Sequence, residues 1–283
     1  MSDSDVSIVG GSGQIGKKKK KKFLTEGYSV KTTGRSSGDV LLDLAALPST
    51  DELVKQLPQP NFLILTAAMS AVDRCQTHPE ESWQINVVGM KSLLDAFLPS
   101  QTKVIFISSD YVFDGQAGPY RVGDLVNPIQ TYGYHKLVME VHIREKFGDS
   151  AIVRTNMVYG EDSTKKNYST QILERLRHDV PVTAQQDEQV TPTYNQDLAL
   201  YIYELVAQDA HGTFHCAGTP TTRYQFAMDW AAGHGYDSSK VQSVLAFDLK
   251  RPAPRPLWGG LKTTPISNFT PRSHQEVLAS LKK

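Results

Sequence analysis

The run Val6-Ser7-Ile8-Val9 passes directly into Gly10-Gly11-Ser12-Gly13-Gln14-Ile15-Gly16. A short apolar strand, a turn with glycine at 10, 13 and 16, and a helix-length segment behind it leave few folds open. The first glycine permits a tight turn, the second lets a pyrophosphate approach the backbone, and the third lets the helix close on the strand. The helix start, opened by Gln14 and Ile15, then presents unpaired N–H groups to an anion. The spacing predicts a dinucleotide site at the head of an α/β sheet; a glycine-rich turn without a ligand is the competing reading.

The segments that follow alternate strand and helix with short connections, as a doubly wound parallel sheet does. Tyr28 to Thr33 reads as the second strand, and Gly34-Arg35-Ser36-Ser37 closes it. An acid there would accept the ribose hydroxyls of NAD, whereas an arginine among hydroxyls suits a 2′-phosphate, so NADP is expected and NAD stays open. Ser49-x-x-Glu52 is a capping box. Asn61 to Leu65 is a near-continuous apolar strand ending in Thr66-Ala67-Ala68, whose small side chains let a dinucleotide pass close to the backbone. Pro79 to Leu98 predicts one long helix; Asn86 within it suits a polar group bonded to backbone. Further strands are expected at Lys103–Ile107, Ala151–Arg154 and Gly212–Cys216, and helices over Lys165–His178 and Thr221–Gly235.

The strand at Lys103–Ile107 delivers Ser108 and Ser109 to the sheet edge where α/β folds bind ligands. Alternation points these two side chains to opposite faces, so only one serves chemistry. Tyr132 and Lys136 follow in a segment, Tyr132 to Phe147, with helical spacing of apolar residues, and four apart they share a face. A tyrosine hydroxyl titrates at about 10. A neighbouring ammonium favours the phenolate, and Lys136 is expected to lower the value for Tyr132. The spacing alone is weak, because Tyr236 and Lys240 repeat it beside Gly233 and Gly235 with no serine-ended strand before them. His135, inside the Tyr-Lys turn, is expected to be exposed.

With Gly10 to Gly16, the run ISSDYVFDG and then YGYHK, the chain resembles the extended short-chain dehydrogenase/reductases, within them the dTDP-4-dehydrorhamnose reductase family. It is also similar in these stretches to the regulatory β subunit of methionine adenosyltransferase. The resemblance implies a Rossmann-type α/β sheet with a smaller, mixed C-terminal substrate-binding domain. Residues 1–160 would bind the dinucleotide, 190–218 would return to that domain, and 161–189 with 219–283 would hold substrate. It implies an NADPH-dependent oxidoreductase acting on a nucleotide-linked 4-keto-6-deoxysugar, with Ser109, Tyr132 and Lys136 as catalytic residues. Cofactor contacts would come from Gly10, Gly13, Gln14, Ile15, Gly16, Arg35, Asp43, Leu44, Ala67, Ala68, Tyr132 and Lys136, with Asp43 and Leu44 facing the adenine. Arg251, on the stiff Arg251-Pro252-Ala253-Pro254-Arg255-Pro256 segment, would contact the substrate diphosphate. Trp258-Gly259-Gly260 departs from the family pattern. Two other readings stay open: a non-catalytic NADP-binding regulatory subunit, and a sugar-nucleotide epimerase or dehydratase. A homodimer is left open as well.

Lys17 to Lys22 fits none of this comfortably. Six lysines lie where a cofactor helix of about three turns is expected, and Lys19, Lys20 and Phe23 would share its inward face. Burying an unpaired ammonium is costly, and six cations oppose the helix dipole. A lysine-rich helix with outward stems, an engineered surface and a stretch of undetermined residues are the three accounts; the last two together reconcile pattern and fold better. Lys plus Arg equal Asp plus Glu at 30 each, and without these six the count would be 24 against 30. No global charge argues for nucleic acid or a membrane surface. Two cysteines, Cys75 and Cys216, are expected as thiols of a cytoplasmic protein. There is no apolar run of about 18 residues and no leader pattern, and the eight histidines show no metal-ligand spacing.

Overall fold

Seven parallel strands form the central sheet of the computed structural model, which describes residues 5–57, 59–98, 100–162 and 167–281. They are β1 (Val6–Val9), β2 (Val30–Gly34), β3 (Val40–Leu41), β4 (Phe62–Leu65), β5 (Lys103–Ser109), β6 (Ala151–Thr155) and the strand Gly212–Cys216. Their order is Gly212–Cys216, β6, β5, β4, β1, β2, β3. The chain builds outward from β1 to β3 and then crosses back to β4. That reversal opens a crevice at the carboxyl ends of β1 and β4, where doubly wound sheets bind ligands. The register lines those ends up: Val9 pairs with Thr33 and Leu65, and Leu65 pairs with Phe106.

Both faces of the sheet are buried, which is why its strands read as apolar runs. Alternation along β4 sends Leu63 and Leu65 into one core with Phe106, Met139 and Phe97, and sends Ile64 into the other with Ile8, Leu198 and Tyr201. A third core lies away from the sheet, between the helices Tyr168–Arg177, Arg223–Gly233 and His274–Leu281 and the parallel pair Val182–Gln185 with Val241–Val244. Phe226, Ala227, Trp230 and Ala231 are buried there.

The expected helix Pro79–Leu98 is instead an α-turn Pro79–Trp83, a wider π-helical stretch Gln84–Gly89 and an α-segment Met90–Asp95. A Cβ on Gly89 would stand 1.8 Å from the Leu44 carbonyl oxygen, so only glycine admits this approach of helix to loop. Asn86, in the wide turn, accepts from the Met69 N–H at 2.7 Å and donates to its carbonyl at 3.1 Å, pinning the loop after β4. The helix expected from Thr221 begins at Arg223, because Thr221 and Thr222 pair with Gln189 and Val190 and the Thr222 side chain caps the helix. Of the helix expected over Lys165–His178, Tyr168–Arg177 is helical, and residues 163–166 lie outside the described ones.

The lysine run does form the cofactor-side helix, Gln14–Thr25. Lys19 and Phe23 face inward, both at 0% exposure, whereas Lys20 sits on the flank and pairs with Asp39 at 3.0 Å. Lys18 reaches Glu161 at 2.8 Å, and Lys22 reaches Glu26 at 2.5 Å beneath the Tyr203 ring. Lys19 Nζ has no hydrogen-bond partner among the described residues, and burial pushes its pKa well down. Cys75 and Cys216 are both buried thiols.

Candidate active site

Strand β1 ends in Gly10, whose φ of +86° and neighbours demand glycine: a Cβ would stand 2.7 Å from the Ala67 nitrogen. At Gly16 a Cβ would come within 2.5 Å of the Gly10 oxygen, so the third glycine sets the helix tight on the turn. Gly13 begins that helix, and no side chain caps it. Its first N–H groups point where an anion would be held. Thr66 donates to the Val9 and Gly10 carbonyls at 2.8 and 3.1 Å, joining the ends of β1 and β4. Gln14 fixes this turn to the third core region by accepting from Asn167 at 2.6 Å.

A cleft of about 720 Å³ runs across these strand ends, within the size range of small-molecule sites. Gly10, Gly13, Gln14, Ile15 and Gly16 line it at one end, with Arg35, Asp43, Leu44, Ala67 and Ala68 along its walls. Arg35 is exposed at its rim. Asp39, the acid nearest β2, accepts from the Thr32 backbone and hydroxyl at 2.8 and 2.7 Å and stands outside the lining. The donor set therefore suits a phosphate beyond the ribose better than free ribose hydroxyls.

Ser109, Tyr132 and Lys136 line the same cleft. Ser108 is buried and donates to Glu140 at 2.6 Å, while Ser109 ends β5, accepts from the Tyr111 N–H at 3.2 Å and remains at the cleft. The helix Thr131–Lys146 carries the Tyr-Lys pair. Gln130 caps it on the Gly133 N–H at 2.9 Å, and Gln76 accepts from Thr131 at 3.1 and 2.9 Å. A Cβ on Gly133 would stand 1.9 Å from the Tyr111 carbonyl oxygen, so the first helical turn rests directly on the turn after β5. Four residues beyond Lys136, Glu140 is locked by Arg154 at 2.9 and 2.7 Å and by Arg144 at 2.7 Å, which anchors the middle of the helix to β6.

Lys136 Nζ donates to the Ile107 carbonyl at 2.7 Å and lies 4.5 Å over the Phe106 ring. Burial lowers its pKa to about 8, against the field of Glu140. The expectation that Lys136 would lower the pKa of Tyr132 is corrected here. Burial, reinforced by Cys75, Tyr111 and Asp110, pushes the phenol well up, and Lys136 Nζ lies 5.6 Å from its ring centroid while engaged by Ile107. Tyr132 is held as a neutral phenol. His135 is likewise corrected: it is buried at 2% exposure, edge-on to Trp83 at 5.5 Å, and burial lowers its pKa to about 4.

The decoy pair lies elsewhere, with Lys240 on a short turn and paired with Asp179. Arg251 does not line the cleft, contrary to its expected contact with a substrate diphosphate; it is spent on buried Glu188 at 2.7 Å. In its place Arg223, Tyr168, Glu188, Asn156 and Tyr111 line the cleft. Tyr111 lies within the ISSDYVFDG run and Asn156 just beyond β6, whereas Arg223, Tyr168 and Glu188 come from separate segments with no shared motif and so were missed. Asp110, bonded by Asn156 at 2.5 Å, is pushed up to about 6 by burial.

A parallel sheet of this order, with a glycine turn and a Tyr-x-x-x-Lys helix opening onto one cleft, is the arrangement of the extended short-chain dehydrogenase/reductases. The chain belongs to the family described as RmlD substrate binding domain, whose model matches residues 4–282. It is 29% identical to a protein of Haloferax volcanii named probable low-salt glycan biosynthesis reductase, across 88% of this chain and 86% of that one. It is 30% identical to methionine adenosyltransferase 2 subunit beta of Bos taurus across 66% of this chain and 58% of that one. The structure of a dTDP-4-dehydrorhamnose reductase from Clostridium acetobutylicum superimposes with a TM-score of 0.88 at 27% identity, covering 98% of each chain.

Proposed function

We propose that this chain is an NADPH-dependent reductase of a nucleotide-linked 4-keto-6-deoxysugar, as a dTDP-4-dehydrorhamnose reductase is. The observation that carries the reading is the meeting of Ser109, Tyr132 and Lys136 with the Gly10–Gly16 turn in one cleft. The similarity to the Clostridium acetobutylicum reductase over nearly the whole chain supports the substrate class.

The residues present fit the cofactor: the helix start at Gly13 carries no side-chain cap, and no Cβ at Gly10 or Gly16 obstructs the turn. Gly10, Gly13, Gln14, Ile15 and Gly16 would hold its pyrophosphate, Arg35 its 2′-phosphate, Asp43 and Leu44 its adenine, and Ala67 and Ala68 would leave it room. When bound, the nicotinamide supplies a hydride to the keto carbon. Tyr132 gives its hydroxyl proton to the keto oxygen, and the raised phenol keeps that proton available at neutral pH. Ser109 hydrogen-bonds the same oxygen and orients it. Lys136, held against Ile107, would hold the nicotinamide ribose and would offer positive charge as Tyr132 gives up its proton. Hydride to carbon and proton to oxygen together complete the reduction to an alcohol. Residues 161–189 and 219–283 are assigned to the substrate side, and 1–160 with 190–218 to the cofactor side. A cytoplasmic setting agrees with two buried thiols.

The test is cofactor oxidation by purified protein with dTDP-4-dehydrorhamnose. NADPH is expected to be used in preference to NADH, and Arg35→Ala to narrow that preference. Equal use of both by the unaltered protein would remove Arg35 from its role, and no oxidation of either would overturn the activity.

A further inference from the structure

The single hydroxyl proton of Ser109 is directed away from the keto oxygen it is expected to meet. Ser109 Oγ accepts from the Tyr111 N–H at 3.2 Å and donates to Asp110 Oδ1 at 3.2 Å. A lone pair is what it has left for the cleft, and a keto oxygen also offers only lone pairs. Asp110 is 3% exposed and lines the cleft beside Ser109. Its other oxygen, Oδ2, receives the Asn156 side-chain amide at 2.5 Å. That amide is fixed in orientation, because Asn156 Oδ1 accepts from the Thr191 N–H at 2.7 Å. The Gly260 N–H donates to the same carboxylate. Gly259 lets the chain come this close, since a Cβ there would stand 3.2 Å from Oδ2. With Oδ2 facing a fixed donor, a proton on Asp110 sits without conflict on Oδ1, the oxygen aimed at Ser109. Burial raises this carboxyl to about 6 against its hydrogen bonds, which brings both protonation states within reach. The titratable groups acting on or through it are Tyr111 on its own turn and Tyr132 on the facing helix, with Glu188, Arg223 and Arg255 around Tyr111. The Asn156 loop and residues 259–260 meet it with a side-chain amide and backbone.

We propose that Asp110 is a positioning residue that decides which way Ser109 donates: as a carboxylate it keeps the Ser109 proton, and as the neutral acid it donates from Oδ1 to Ser109 Oγ and turns the serine proton toward the keto oxygen. In the second state Oγ accepts from Asp110 and from the Tyr111 N–H and donates once, into the cleft, which is the full capacity of a hydroxyl. The role of that donation rests on the reductase reading; the pairing of Ser109 with Asp110 rests on the geometry alone. Neither group gives up a proton in the reaction. Tyr132 still supplies the one that reaches the oxygen, and Ser109 and Asp110 finish as they began.

The experiment is the pH profile of kcat/KM for dTDP-4-dehydrorhamnose with saturating NADPH, for the unaltered full chain, Asp110→Asn and Ser109→Ala. In the unaltered protein kcat/KM is expected to fall about tenfold per pH unit above about pH 6, the slope of losing one required proton. Asp110→Asn, its oxygen kept by Asn156 and its amide N–H placed where the acid O–H would be, is expected to give a level profile that lies above the unaltered protein at the alkaline end. Ser109→Ala is expected to be slow and level. A level profile in the unaltered protein, a fall that persists in Ser109→Ala, or a folded Asp110→Asn that is inactive at every pH overturns the proposal. The second measurement needs no turnover: the Asp110 carboxyl is titrated by carbon-13 NMR in the unaltered protein and in Ser109→Ala. Its midpoint is expected to rise in the variant, because a hydrogen bond that favours the carboxylate is gone. An unmoved midpoint overturns the pairing, and it decides the matter should Asp110→Asn not fold. A raised midpoint without turnover of any 4-keto sugar would sink the reductase reading and leave the hold of Asp110 on the Ser109 proton standing.

Discussion

At the scale of single residues, Lys19 is the place where sequence and packing conflict most. Its ammonium sits at 0% exposure with no hydrogen-bond partner among the described residues and a pKa driven down by burial. Lys19→Met is expected to stabilise the protein by roughly 1–4 kcal/mol, the range seen when buried charged groups give way to apolar ones. Urea unfolding measures it, and a loss of stability would show that Lys19 is satisfied in some other way. That Ser108 and Ser109 point to opposite faces was legible beforehand, because alternation along a strand is a rule of covalent geometry; the choice of Ser109 came from the family resemblance alone. The place of Arg251 was not. Its proline-rich segment signals an extended chain, but nothing local says that Glu188, far away in sequence, captures its guanidinium. The tyrosine pKa failed for a related reason: the spacing of Tyr132 and Lys136 is local, whereas the burial that raises the phenol and the Ile107 carbonyl that engages Lys136 come from other elements.

Among the elements, the helix Thr131–Lys146 decides the site, and Gly133 decides how that helix lies. Backbone meets backbone there, so a methyl group at 133 has no flexible neighbour to displace. Gly133→Ala is expected to cost roughly 1–3 kcal/mol of stability and to lower kcat by shifting Tyr132. Gly148→Ala, where an added Cβ meets nothing within 4 Å, is the control and should leave kcat unchanged. Equal kcat in the two variants would show that the helix is free to move. The helix was predicted within a residue of its observed ends because its apolar spacing is regular, whereas the π-helical stretch Gln84–Gly89 was missed. That widening answers to the Leu44 loop and to Met69, contacts between elements that periodicity does not encode.

The whole molecule carries a pH signature. His135 and His215 both have pKa values lowered to about 4, burial being the larger cause in each, and so are buried neutral. The unfolded chain binds these two protons first as pH falls below about 6.5, so their contribution to stability is lost from there toward about 4. Asp110, raised to about 6, works the other way over part of that window. His142, also lowered by burial, adds to the two histidines, and stability is expected to fall by ~1.4 kcal/mol per pH unit or more near pH 5. Urea midpoints at pH 7 and pH 5 check it, and a midpoint at pH 5 as high as at pH 7 would contradict it. The sheet itself was legible from the opening glycines and the apolar strands, because parallel sheets bury both faces and so write themselves as unbroken apolar runs. The third core was read as elements without an arrangement, since its short strands pair across long stretches of sequence. The central claim is that this cleft moves a proton through Tyr132 while hydride reaches a 4-keto sugar, and Tyr132→Phe tests it most directly. With dTDP-4-dehydrorhamnose and NADPH, the variant is expected to lose roughly 10²–10⁴-fold in kcat while its NADPH affinity, measured by titration, stays close to that of the unaltered protein. Turnover that survives in Tyr132→Phe, or an unaltered protein that binds NADPH and turns over no 4-keto sugar, would contradict the account.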